Sequence, residues 1–293
     1  MKISEILKSN KRTLSFEVFP PKTESAFDSI KAATEEIASL SPAFMSVTYG
    51  AGGGTSRYTV DIAENIEKKY SVPTLAHLTC VSSTKETVRA RINDMRAAGI
   101  RNVMALRGDI PEKMRNMDRS SWDYRYASEL VREIRESGGD FCIGGACYPE
   151  VHPESKSREE DVRNLRFKVE EGCDFLTTQM FFENGLYYSF VERARAVGIV
   201  VPIIPGVMPI TNVNQIERAI SLSGSYMPKR FLDMAEGFAD DQAAMTEAGI
   251  TYATEQIIDL FDKGVTNVHV YSMNKPQVAR TILNNLSDVL KND

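Results

Sequence analysis

Short apolar runs alternate with longer amphipathic ones along this chain. The apolar runs that predict β-strands are 14–19, 44–49, 74–80, 102–107, 140–147, 175–181, 200–206 and 267–272, eight in all. Between them lie stretches with apolar residues at helical spacing, such as "SAFDSIKAATEEIASL" (25–40), "TKETVRARINDMRAAG" (84–99) and "REEDVRNLRFKVEEG" (158–172). The last two end in Gly shortly before the next apolar run, as a helix stop followed by a short loop requires. No linker, low-complexity tract or shift of composition interrupts the series, so a single domain over 1–293 is expected.

Eight β–α units with strands apolar on both faces predict an α/β fold of the (β/α)8 TIM-barrel class rather than an open doubly wound sheet. An open sheet calls for a nucleotide-binding turn at its switch point. The glycine-rich stretch "TYGAGGGTS" does not supply one: Gly50, Gly52, Gly53 and Gly54 do not form G-x-G-x-x-G, and no acidic residue follows at the required distance. The stretch reads instead as a flexible βα loop over an active site.

Charge and cysteine content narrow the function classes. A net charge of −5 spread over 293 residues argues against nucleic acid or an anionic membrane as partner and favours a small-molecule substrate. The N-terminal stretch lacks a signal-peptide pattern and no apolar run is long enough to span a bilayer, so a cytoplasmic protein is expected. Cys80, Cys142, Cys147 and Cys173 include no CxxC pair and read as reduced core residues, with no metal site.

Strand alternation makes the polar residues informative. Glu17 stands in "SFEVFPPKT", a charge inside an apolar run that ends at a double proline. Side chains in a strand alternate faces, so Ser15, Glu17 and Phe19 share one side, as do Ser46 and Thr48, His77 and Thr79, Arg107 and Asp109, and Thr177 and Gln179. Most sit late in their strands, at the end where a (β/α)8 barrel carries its catalytic groups. Glu17, Thr48, His77, Arg107, Asp109 and Gln179 are therefore expected to form one polar cup. Each also has a structural reading: His77 as a hydrogen-bonded core residue, Arg107 with Asp109 as an ion pair closing the rim. Burying such groups unpaired costs about 1–3 kcal/mol apiece, which favours a shared site over scattered accidents.

The strings "FEVFPPK", "VTYGAGG", "AHLTC", "ALRGD", "YPEVHPE" and "TTQMFF", in this order and spacing, resemble the methylenetetrahydrofolate reductase family over essentially the whole chain. The chain is similar to the bacterial form that consists of the catalytic domain only, with no room for the regulatory domain of eukaryotic members. The resemblance implies a (β/α)8 barrel carrying noncovalent FAD across its strand ends. It also implies hydride transfer from NADH or NADPH to 5,10-methylenetetrahydrofolate, giving 5-methyltetrahydrofolate. A homo-oligomer is expected, and an electron-carrying or accessory protein subunit is an alternative source of reducing equivalents.

By the same resemblance Glu17 matches the general acid that opens the folate imidazolidine ring, and Asp109 a carboxylate beside flavin and pterin. Gln179, Gln215 and Lys275 match substrate-binding positions. Thr48, Tyr49, Ala51, His77, Arg107, Gly108, Asp109, Ala127, Tyr148, His152, Asp161, Asn164 and Lys168 match FAD-binding positions, with Arg107, His152 and Lys168 suited to phosphate or ribitol. Phe16, Phe19 and the flavin would raise the Glu17 pKa, and a nearby Arg107 would lower it, so the sequence leaves the sign of the shift open.

Two positions depart from the family pattern. Met273-Asn274-Lys275 stands where many members read "LNR", and Lys cannot make the bidentate fork of Arg on a carboxylate. Ala219 stands where an aromatic residue stacks on substrate. Two other classes remain open at this level: a flavin-free folate barrel that transfers a methyl group, separable by the colour of the protein, and a noncatalytic scaffold.

Overall fold

The first apolar run, TLSFEV, forms strand β1 (Thr13–Val18). Its neighbours are β2 (Met45–Val47) and, on the other side, β9 (Asn267–Tyr271), both parallel to it. The remaining strands are β3 (Thr74–Thr79), β4 (Asn102–Leu106), β5 (Cys142–Cys147), β6 (Phe175–Thr178), β7 (Ile203–Ile204) and β8 (Gly206–Val207). The computed structural model describes residues 1–21, 23–49, 56–110, 114 and 117–291.

All pairings are parallel, in the order β7-β6-β5-β4-β3-β2-β1-β9-β8. The two ends of that order are joined in the chain by Pro205 alone, so the sheet curls into a barrel. The run expected as one strand over 200–206 is thus two short ones. Proline has no N–H to give to a ladder, and the seam falls there: Ile203 and Ile204 pair with β6, Gly206 and Val207 with β9. The Pro205 carbonyl still accepts the His269 N–H, at 2.9 Å, and keeps the seam bonded.

Helices alternate with the strands: α2 (Phe27–Ala38), α3 (Ser56–Tyr70), α4 (Lys85–Ala97), α5 (Ala127–Glu136), α6 (Arg158–Glu170) and α7 (Asn184–Ala196). Three more, α8 (Asn214–Ser223), α9 (Lys229–Gly237) and α10 (Gln242–Asp262), fill the connection from β8 to β9, and α11 (Pro276–Asn285) and α12 (Ser287–Lys291) follow. Their starts are written locally. Thr84 accepts the Thr87 N–H ahead of α4 and Ser157 the Glu160 N–H ahead of α6. The stop after α6 is Gly172, at φ +120°, where a Cβ would also meet Arg135 Nε at 2.8 Å.

The main core lies between the barrel wall and the helices, with Phe16, Val18, Val47, Leu78, Ile143 and Leu176 on its wall side. The barrel interior is filled separately. Leu75, Met104, Cys142, Phe175 and Ile204 pack there against Ile3 and Leu7, of which Ile3 belongs to helix α1 (Ile3–Ile6) and Leu7 caps it. Asn102 fastens this plug, accepting the Ile3 N–H at 2.8 Å and donating to the Thr74 carbonyl at 2.9 Å. Asn102 and Thr74 open their strands, so the plug seals the N-terminal end of the barrel and the chemistry is left to the other end. The four cysteines are buried and unbridged, as read from their spacing. Among the described residues no helix is long and apolar enough to cross a membrane.

Candidate active site

Glu17 points into the upper barrel from the end of β1, its side chain 12% exposed. Strand register puts Ser46 of β2 on one side of it and Tyr271 of β9 on the other. Ser46 Oγ is 3.5 Å from Glu17 Oε2, and His77 Nε2 of β3 approaches the same oxygen to 3.8 Å. Burial dominates the electrostatics: it pushes the Glu17 carboxyl up to about 8, against a smaller downward pull from Ser46. The same burial takes the His77 and His269 imidazoles down to about 3. The sign left open by the sequence is therefore upward. At neutral pH the cup floor holds a neutral acid and two neutral imidazoles.

Arg107, just past β4, does not offset this. Its guanidinium is paired with the Glu154 carboxylate at 2.5 Å, and Arg119 reaches the same oxygen at 3.5 Å. This corrects the alternative of a rim ion pair between Arg107 and Asp109. Asp109 is exposed, near enough to Tyr148 to add to the burial that lifts its hydroxyl to about 12, with Arg107 opposing. Gly108 between them has φ +85°, and a Cβ there would meet Thr79 Cβ and Val81 Cγ1 at 3.0 Å. Only glycine lets the chain turn this close to the end of β3.

A cluster of polar and cationic groups runs from there over β5 and α6. The Tyr148 ring meets His152 edge-on, centroids 4.8 Å apart. His152 Nδ1 accepts the Glu154 N–H at 3.1 Å, and the His152 backbone N–H donates to Asp161 Oδ2 at 3.2 Å. Asp161 also takes the Ser155 hydroxyl at 2.9 Å. Lys168 donates to the Ala146 carbonyl on β5. Asn164 is exposed on α6, between Asp161 and Lys168 in the chain, and Ala127 opens α5 half-buried. Thr48 and Tyr49 follow β2, half-buried, the Thr48 N–H held by the Val18 carbonyl at 3.0 Å. Ala51 and the glycines from Gly50 to Gly54 lie outside the described residues.

The substrate-side candidates fall into two groups. Gln179 follows β6, with its N–H on the Cys147 carbonyl at 2.7 Å and its side-chain oxygen on the Met180 N–H at 3.0 Å. Gln215 turns its oxygen back to the Thr211 and Asn212 N–H groups, at 2.8 and 3.1 Å, and so ties the start of α8 to the turn ahead of it. Lys275 Nζ donates to Thr211 Oγ1 at 2.7 Å, which brings the two together. Burial lowers the Lys275 pKa. Ala219 is 2% exposed inside a satellite cluster with Met180, Phe182 and Phe231, so a larger group at this position would meet side chains rather than an open cleft.

Three contributors were not among the candidates. His269 and Tyr271 share a face of β9, legible as alternation in "NVHVYS", and both point inward: His269 bonds Ser15 and Ser46, and the Tyr271 hydroxyl donates to the Thr178 carbonyl at 2.5 Å. Asn274 clamps the chain just beyond Glu17, accepting the Phe19 N–H at 2.8 Å and donating to the Phe19 carbonyl at 3.0 Å. It does so from φ +54°, a conformation Asn tolerates and most residues do not.

Comparison with known proteins follows the same lines. Residues 2–287 match the family model described as methylenetetrahydrofolate reductase. The chain is 34% identical over 273 residues to the 5,10-methylenetetrahydrofolate reductase of Pectobacterium carotovorum subsp. carotovorum, covering 93% of this chain and 89% of that protein. For the Escherichia coli (strain K12) protein of the same name the figures are 35%, 93% and 90%. Methylenetetrahydrofolate reductase 1 of Schizosaccharomyces pombe is 36% identical over 292 residues; 98% of this chain matches, but it spans only 48% of that relative. Among solved structures, a Clostridium thermocellum protein that binds two copies of 5-methyl-5,6,7,8-tetrahydrofolic acid superposes with TM-score 0.67 at 16% identity, covering 99% of this chain and 100% of that one. A mutant tryptophan synthase alpha-subunit from Pyrococcus furiosus does so with TM-score 0.56 at 9% identity, covering 94% and 98%, which establishes the barrel fold alone. A buried acid at the open end of the barrel, the rim cluster beside it and this whole-length match together identify the chain as belonging to the methylenetetrahydrofolate reductase family.

Proposed function

We propose that this chain reduces 5,10-methylenetetrahydrofolate to 5-methyltetrahydrofolate, with Glu17 as the general acid. The observation that carries the reading is a carboxylic acid that keeps its proton up to about pH 8 at the catalytic end of a barrel strand. Ring opening of the imidazolidine needs a proton delivered to a ring nitrogen, leaving a cationic iminium on the substrate. Glu17 supplies the proton. Asp109, exposed at the rim, supplies negative charge to face the cation. Gln179, Gln215 and Lys275 are assigned to the pterin and glutamate portions of the folate.

The rim fits a dinucleotide cofactor. Arg107 and Arg119 converge on one Glu154 carboxylate, and the same donor geometry suits the anionic oxygens of a diphosphate. Arg107, His152, Lys168 and Asn164 are assigned to its phosphate and ribitol portions. Thr48, Tyr49, Ala51, His77, Gly108, Asp109, Ala127, Tyr148 and Asp161 are assigned to the remainder of the FAD site. FAD held by these residues would supply hydride transfer between NADH or NADPH and the folate. His77, neutral and 9% exposed at its side chain, excludes water beneath the site without adding charge.

The test is a pair of anaerobic half-reactions on the purified chain. Reduced nicotinamide should bleach the bound flavin, and 5,10-methylenetetrahydrofolate should restore its absorption with 5-methyltetrahydrofolate as product. A colourless protein that binds folate would favour methyl transfer instead, and a yellow protein whose reduced flavin ignores the folate would overturn the assignment of substrate.

A further inference from the structure

The residues beneath Glu17 form a line of hydrogen-bonding atoms whose proton count can be worked out. His269 is 2% exposed and lies flat on Phe44, ring centroids 5.5 Å apart with the planes at 9°. Its Nδ1 is 2.7 Å from Ser15 Oγ and its Nε2 2.9 Å from Ser46 Oγ. Ser15 Oγ also lies 3.3 Å from the Val268 carbonyl oxygen, and Ser46 Oγ 3.5 Å from Glu17 Oε2. Each hydroxyl has one proton to give, and a neutral imidazole has one N–H.

That count leaves two arrangements. With the proton on Nδ1, His269 donates to Ser15, Ser15 donates to Val268, and Ser46 donates to Nε2. Ser46 then offers Glu17 only a lone pair, which a protonated carboxyl can use and a carboxylate cannot. With the proton on Nε2, Ser15 donates to Nδ1, Nε2 donates to Ser46, and Ser46 is free to donate to a Glu17 carboxylate. The Val268 carbonyl then loses the Ser15 hydroxyl. The first arrangement makes every one of these contacts a donor–acceptor pair when Glu17 is protonated, and the second leaves one unmade; with Glu17 ionised each leaves one unmade, Ser46–Glu17 in the first and Ser15–Val268 in the second.

We propose that His269 is a positioning residue for Glu17: standing in its Nδ1–H form beneath the protonated acid, it draws the Ser46 hydroxyl proton onto Nε2, so that ionising Glu17 costs the line one hydrogen bond. The proposal rests on the reading of Glu17 as general acid. It involves no proton transfer along the line, only the direction in which one hydroxyl points. The other titratable groups facing Glu17 are His77 from β3, at 3.8 Å, and Tyr271 from β9, whose hydroxyl is committed to Thr178. Both are neutral near pH 7, because burial holds the His77 imidazole at about 3 and the Tyr271 phenol well above its ordinary range. Neither competes for the Ser46 proton along this line.

The experiment is a titration of the Glu17 carboxyl in the full chain with flavin bound, read as the pH-dependent carboxyl stretch in infrared difference spectra, with Glu17→Gln identifying the band. His269→Phe keeps the ring stack and removes the Nε2 acceptor, so Ser46 turns to Glu17 and the acid should strengthen about tenfold or more, the scale of one hydrogen bond to a charged group. Adding Ser46→Ala to His269→Phe removes that donor and should return the titration to the wild-type position. The alkaline limb of the folate half-reaction should move in parallel, to lower pH in His269→Phe and back in the double variant. An unmoved titration in His269→Phe, or a shift that Ser46→Ala fails to reverse, overturns the proposal. If His269→Phe does not fold, His269→Leu bears the test: it also lacks an acceptor for the Ser46 proton, so the acid should strengthen as well, and an unmoved titration there has the same force. The infrared reading needs no folate, so a chain that titrates as described yet does not reduce folate would refute the proposed function alone.

Discussion

At the residue scale the proposed chemistry rests on Glu17, whose isolation from the Arg107 guanidinium lets burial decide its protonation. Glu17→Gln is expected to leave flavin bound and reducible by the nicotinamide while slowing folate reduction by roughly 10²-fold or more, since only ring opening needs the proton. Stopped-flow half-reactions separate the two, and equal slowing of both would make Glu17 structural. The pH dependence follows from the sign of the shift. The folded chain holds this proton up to about 8, whereas the unfolded chain releases it near the ordinary carboxyl value of 4.5. Glu17 therefore favours the folded state at low pH, and that contribution is lost as pH rises toward 8. Wild-type Tm should fall relative to Glu17→Gln across this window, and the folate half-reaction should fall above it. Lys275 is a second residue-scale case. Exposed and bonded to Thr211, it meets a folate carboxylate as a point charge, so Lys275→Ala should raise the folate KM a few-fold with kcat nearly unchanged. Lys275→Arg should match or tighten the wild type. A large fall in kcat for the Ala variant would place Lys275 in the chemistry itself.

At the element scale, the segment after β9 holds the end of β1 in place. Ser272 Oγ donates to the Glu17 carbonyl at 2.7 Å and Asn274 brackets Phe19 with two bonds. Asn274→Ala should cost about 1–3 kcal/mol of stability through the unpaired Phe19 groups. It should also slow folate reduction more than flavin reduction, because the strand end that aims Glu17 loosens. Chemical denaturation together with the two half-reactions checks both parts. Equal effects on the two half-reactions would reduce Asn274 to a stability residue. The seam between β7 and β8 is tighter still: a Cβ at Gly206 would meet the Thr178 carbonyl oxygen and Tyr271 Oη, each at 2.5 Å. Gly206→Ala should break the Tyr271–Thr178 bond that closes the barrel there and lower Tm by more than an ordinary surface substitution does.

At the scale of the whole molecule, the rim proposed to hold an anion belongs to a chain of net charge −5, and Glu154 already occupies its arginines. A cofactor diphosphate that uses Arg107 and Arg119 must displace that carboxylate. Glu154→Gln should then tighten FAD a few-fold, consistent with about 0.2–1 kcal/mol for a partly exposed pair, and change the salt dependence of binding. Flavin fluorescence titration at low and high salt measures this, and weaker binding would mean that Glu154 orients the arginines instead of competing for them.

The alternation of apolar and amphipathic runs was enough to determine a parallel α/β barrel and to put Glu17 and His77 inside it, because side-chain direction in a strand follows from parity alone. Helix starts at Thr84 and Ser157, and the buried state of the four cysteines, were equally local. Tertiary structure decided the rest. Pro205 marks where the barrel seam falls, which depends on which strands meet across it rather than on the run of residues that contains it. Arg107 found Glu154, 47 positions away, in place of Asp109 two positions away, because a long guanidinium pairs with whichever carboxylate the loops bring to it. His269 joined the site from the last strand, although its parity was visible, because closure of the barrel sets β9 beside β1. The protonation of Glu17 belongs to the same class: the sequence names the carboxyl, but its affinity for a proton depends on how completely the closed barrel removes it from water and from every cation.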